Sequence, residues 1–107
     1  MKEHDIQKQL VQYLRLKGWV TICSDMTIGS IFLGRNQKQR MAFFNYCKGQ
    51  GLTKGQPDLI AIKGNQIFFI EVKTEKGKLS IEQAKMERLL PNYHIIRSLD
   101  ELIALIN

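Results

Sequence analysis

The chain has 107 residues, with 16 Lys and Arg against 10 Asp and Glu, so its formal net charge is +6 and its pI lies near 9.5. That length suits one domain over residues 1–107, with a single core and no room for a second. Hydrophobic residues make up 44% and charged residues 24%, an ordinary balance for a soluble globular protein. The basic excess favours a polyanionic partner, of which a phosphate backbone is the commonest, although many small domains are this basic for solubility alone. No apolar run approaches the ~20 residues of a membrane span. The N-terminus lacks a signal-peptide apolar region, so the expected location is the cytoplasm, with no membrane partner. Cys23 and Cys47 stand apart without metal spacing, and the expectation is two reduced core thiols.

In chain order, residues 3–17 read as a helix with Ile6, Leu10, Val11 and Leu14 on one face and Gly18 at its end. Glu3 and Gln7 are one turn apart and share a direction. Taken alone, Glu3 is a first-turn acid that complements the helix dipole, and His4 is a surface residue at a frayed end. Trp19 to Cys23 is a short β-run expected at a sheet edge. Residues 24–35 resist assignment. Asn36 opens a helix to about Lys48, with Met41, Phe44 and Cys47 turned inward and Gly49 or Gly51 closing it. Arg35, Lys38 and Arg40 gather at its start, and Lys48 and Lys54 follow. Each of these charges alone is best explained as a solvated face; together they border the loop before Asp58 and suit phosphate contacts.

Residues 57–73 form the centre of the pattern. Pro57-Asp58-Leu59-Ile60-Ala61-Ile62 and Gln66 to Lys73 read as two strands joined by a Gly64-Asn65 hairpin. Alternation puts Ile67, Phe69, Glu71 and Lys73 on one face of the second strand, with apolar residues before Glu71 on both faces. A strand buried on both sides carries charge only if the charge is paired or binds an ion. Glu71 and Lys73 are two residues apart, roughly 6–7 Å between Cα atoms. If the hairpin is antiparallel, Asp58 lies beside them. Two carboxylates on rigid strands suit a hard divalent cation, and a neighbouring ammonium can position water or offset negative charge, which are the parts needed to hydrolyse a phosphodiester. A plain Glu–Lys pair on an exposed edge is the alternative.

After a polar turn with Lys76 and Lys78, Ser80 and Gln83 have capping-box spacing at the start of a helix that Pro91 stops. Tyr93 to Arg97 is expected as a strand parallel to residues 67–73, because a helix connects them. Ser98 with Glu101 caps a last helix packed through Leu102, Ile103 and Ile106. The fold class is therefore α/β, with a central mixed sheet of about four strands flanked by helices on both faces.

Asp58, twelve intervening residues, then Glu71-Val72-Lys73 resembles the Asp…Glu-x-Lys signature of PD-(D/E)xK nucleases. Together with Glu3 and Gln7, Gly55-Gln56-Pro57-Asp58-Leu59, Ile70-Glu71-Val72-Lys73 and Leu79-Ser80-Ile81-Glu82-Gln83, the chain resembles the VRR-NUC (virus-type replication-repair nuclease) branch over nearly its whole length. The resemblance implies a restriction-endonuclease-like core and Mg²⁺- or Mn²⁺-dependent hydrolysis of DNA. Asp58 and Glu71 would hold the metal with the Val72 carbonyl and Glu3, while Lys73 and Gln83 would handle water. Asp25 is a further candidate near the site, and Arg35, Lys38, Lys54, Lys76 and Lys78 would contact DNA. Stand-alone members resemble Holliday-junction resolvases, implying branched DNA, a homodimer, and a phage or prophage setting in a bacterial or phage-infected cell. No small-molecule substrate is expected. The alternatives are a nuclease of the same fold acting on other DNA or RNA, as a nickase or restriction-type enzyme, or a non-catalytic nucleic-acid-binding module.

Overall fold

The computed structural model describes residues 1–24, 38, 45, 49, 51 and 54–107. Among these, helix α1 (Glu3–Leu16) leads into β1 (Val20–Cys23), β2 (Leu59–Lys63) and β3 (Gln66–Val72). Helix α2 (Ile81–Leu89), β4 (Tyr93–Ile96) and helix α3 (Leu99–Ile106) follow. The strands form one sheet in the order β1-β2-β3-β4. The first two pairings are antiparallel, and β3 pairs parallel with β4. This is the mixed four-stranded α/β architecture expected, with β1 at an edge. No helix among the described residues is long and apolar enough to cross a membrane.

The hairpin follows from its turn. Lys63 pairs with Gln66, leaving Gly64 and Asn65 as a two-residue link in which Gly64 alone takes a positive φ of 60°. That is the II′ pattern, whose twist matches that of the flanking strands. Its register sets Leu59 opposite Ile70 and Ala61 opposite Phe68, and Val72 falls opposite Ile96 in β4. These residues share the face that α1 and α3 cover. Leu10, Leu14, Leu59, Ile70 and Leu102 there are fully buried, each worth about 1.5–3 kcal/mol relative to exposure. Trp19, Phe68 and His94 extend the core as a row of rings with 5.4 Å between successive centroids.

The opposite face carries Glu71 and Tyr93, with α2 against β4. Here two expectations change. The strand β3 is not buried throughout: Gln66 and Ile67 are exposed, and burial deepens along the strand until Ile70, Glu71 and Val72 are enclosed. Cys23 is a free thiol but an exposed one, because it ends an edge strand whose residues are mostly open to solvent. Its sulfur accepts a hydrogen bond from Gln7 Nε2 at 3.6 Å. Most of the expected helix 36–48, together with Asp25, Arg35, Arg40, Cys47 and Lys48, lies outside the described residues; Lys38, Asn45 and Gly49 are helical.

Candidate active site

Glu71 is the only buried charged side chain among the described residues, at 3% exposure. The last turn of β3 puts it there, between two residues that belong to the opposite, core-facing side. Both of its oxygens are engaged. Gln83 Nε2 donates to Oε2 at 2.8 Å, and the buried Tyr93 hydroxyl donates to Oε1 at 3.5 Å. Lys73 Nζ stands 4.0 Å from Oε2, and the lysine side chain is itself only 13% exposed.

Asp58 arrives from the residue before β2. Its Oδ2 accepts the Val72 backbone N–H at 2.8 Å, which locks the carboxylate to the far end of the neighbouring strand. Ser24 secures the approach from the other side. Its N–H donates to Asp58 O at 2.9 Å, its hydroxyl donates to Pro57 O, and its carbonyl accepts from Gln56 Nε2. Asp58 and Glu71 thereby come within hydrogen-bonding contact of each other.

This contact has an electrostatic consequence. Burial, and after it the charge of Asp58 and a hydrogen bond between the two carboxyls, raise Glu71 from 4.5 to about 8. Lys73 opposes the shift and the more distant Glu3 adds a smaller repulsion. The Tyr93 phenol is pushed up as well, first by burial and then by Glu71. The site thus holds two acids that cannot both ionise cheaply without a cation between them.

The helix α2 begins at the same place for a backbone reason. Ser80 Oγ accepts the Gln83 N–H at 3.1 Å, and Gln83 Oε1 accepts the Ser80 N–H at 2.9 Å, completing a capping box. The other end of the Gln83 amide remains available for Glu71, so the cap and the site contact coexist in one side chain. Gly55 makes the packing possible. It takes φ +82°, and a Cβ there would overlap the Glu82 carbonyl and lie 2.7 Å from Gln83 N.

Of the residues expected at the site, Asp58, Glu71, Val72, Lys73 and Gln83 come together. Glu3 is exposed, reaches Glu71 as a field, and does not join the pair: among the described residues no three His, Cys, Asp or Glu side chains gather to hold a metal ion. Lys38, Lys54, Lys76 and Lys78 are all exposed. Lys76 and Lys78 flank Gly77, which lies against the Lys73 stem, and Lys54 precedes Gly55. Sequence reasoning missed Ser24 and the Tyr93 contact, because both partners lie more than 20 residues away.

The profile of the VRR-NUC domain matches residues 1–91. The chain belongs to the VRR-NUC family. Membership makes it a nuclease domain of the PD-(D/E)xK type, with nucleic acid as its class of substrate, and agrees with the restriction-endonuclease-like arrangement of sheet and helices. No curated protein and no solved structure matches this VRR-NUC chain.

Proposed function

We propose that this protein is a divalent-metal-dependent endodeoxyribonuclease that hydrolyses phosphodiester bonds in DNA, acting on branched substrates of the Holliday-junction kind. The observation that carries this reading is the contact between Asp58 and the buried Glu71, whose carboxyl is raised to about 8. A pair of acids in that state takes up either a proton or a cation. Its hard oxygen donors suit Mg²⁺ or Mn²⁺, and with only two acids in contact it suits an ion that keeps several of its waters. Asp58, Glu71 and the Val72 carbonyl would hold the ion, and Glu3 would add negative charge from outside.

Held by those residues, a divalent cation would supply a water of lowered pKa and offset charge on the phosphoryl oxygens. Lys73, held 4.0 Å from Glu71, orients the attacking water and offsets negative charge that develops in the transition state. Gln83 and Tyr93 fix the Glu71 carboxylate from its two ends. Lys54, Lys76 and Lys78, together with Lys38 and Arg35, grip the phosphate backbone without reading sequence. One such site cuts one strand. A homodimer with a two-fold axis would present two sites to a symmetric branched substrate, in the cytoplasm of a bacterial or phage-infected cell.

The test is incubation of the full chain with branched, duplex and single-stranded DNA in Mg²⁺, Mn²⁺ or EDTA. The reading expects metal-dependent cleavage, fastest on branched DNA. Cleavage undiminished in EDTA contradicts the metal mechanism, and equal rates on all three substrates contradict the branch preference.

A further inference from the structure

Lys73 lies one residue beyond β3, where strand pairing no longer dictates where its long side chain goes. Its N–H still donates to Ile96 O at 3.1 Å, which ties its backbone to the end of β4. The next residue of β4's own continuation is Arg97. That guanidinium turns back toward the loop after Lys73, and its Nη1 donates to Thr74 O at 2.7 Å, Gly77 O at 2.7 Å and Glu75 O at 3.3 Å. The loop closes on itself through Gly77 N–H to Thr74 O at 3.1 Å. Closed in this way it lies on the lysine: a Cβ at Gly77 would come 3.4 Å from Lys73 Cδ and 3.1 Å from Thr74 Oγ1.

A tight turn with three carbonyls converging needs a donor at their centre, because carbonyl dipoles aimed at one point repel each other. A positive group with several N–H bonds meets that need, and hydrogen bonds to charged donors are the stronger ones. We infer that Arg97 is a positioning residue for Lys73: by gathering the carbonyls of Thr74, Glu75 and Gly77 it presses the loop against the lysine stem and directs Nζ toward Glu71. Arg97 lies beyond residues 1–91, which the VRR-NUC profile covers. The consequence for cleavage rests on the nuclease reading; the consequence for Lys73 geometry does not.

The experiment uses the full chain with ¹³C-labelled lysine, the Lys73 signals being assigned by their loss in Lys73→Arg. In the wild type the Lys73 side-chain methylene signals stand apart from those of the exposed lysines. Arg97→Met moves them to the exposed-lysine position and lowers kcat about tenfold, with KM changed by less than about twofold. Gly77→Ala, which pushes on the same stem with Arg97 intact, shifts the same signals less far. Leu105→Ala destabilises the core elsewhere and leaves them in place. Lys73 signals unmoved in Arg97→Met, or moved equally by Leu105→Ala, overturn the inference. If the wild type cleaves no DNA, the nuclease reading fails, and the Lys73 signals still decide the positioning claim.

Discussion

Gln83 holds Glu71 with one end of its side-chain amide, at 2.8 Å, while the other end caps the helix from which it projects. The two contacts separate by mutation. Gln83→Glu keeps an acceptor for the Ser80 N–H but loses the donor to Glu71. Cleavage is expected to fall on the order of 10²-fold, with helix content by circular dichroism unchanged. Gln83→Leu loses both and additionally lowers stability by about 1 kcal/mol. Equal cleavage by Gln83→Glu and wild type would remove Gln83 from the site.

Stability should depend on pH in a direction opposite to that of an ordinary salt-bridged acid. Folding raises Glu71 from 4.5 to about 8, so between those values the folded state binds more protons than the unfolded one. Stability from this group is complete below pH 4.5 and is lost as pH rises through about 8. Thermal melts in EDTA are expected to show Tm falling over that window, and Glu71→Gln to flatten the fall. A cation between the acids removes the cause, so Mg²⁺ or Mn²⁺ restores Tm most at the upper end. A Tm independent of pH in EDTA would contradict the shift.

Gly55 and Gly64 both take positive φ but differ in surroundings. A side chain at Gly64 meets nothing within 4 Å, so Gly64→Ala costs about 1 kcal/mol of backbone strain. Gly55→Ala adds a collision with the backbone of Glu82 and Gln83 and is expected to cost more than about 2 kcal/mol. Urea unfolding of the two variants measures the difference. Because α2 must move aside, Gly55→Ala also displaces Gln83 from Glu71.

What was legible in the sequence was what local chemistry governs. The II′ hairpin is written in Gly64-Asn65, the β3–β4 parallel pairing in the helix between them, and the meeting of Asp58 with Glu71 in their placement at either end of the hairpin. Ser80 and Gln83 read as a cap from their spacing, and only the resemblance placed Gln83 at the site; Gln83 makes both the cap and the contact with Glu71 because an amide has separate donor and acceptor ends. The last helix differs slightly: Ser98 caps Glu101, but Glu101 returns its bond to the Arg97 N–H instead of to Ser98. Ser24, Tyr93 and Arg97 carry no local signal, since their partners are distant in the chain and only the sheet brings them close. Cys23 read as a core thiol from its residue type, but an edge strand left it in solvent.

The proposed cleavage depends on Asp58 and Glu71 sharing one cation. Isothermal titration of Mn²⁺ into the wild type, Asp58→Asn and Glu71→Gln at pH 7.5 tests this most directly, with circular dichroism confirming that each variant is folded. Sharing predicts a single site in the wild type, weakened at least about tenfold by either substitution. Mn²⁺ binding of wild-type strength in both folded variants would contradict it.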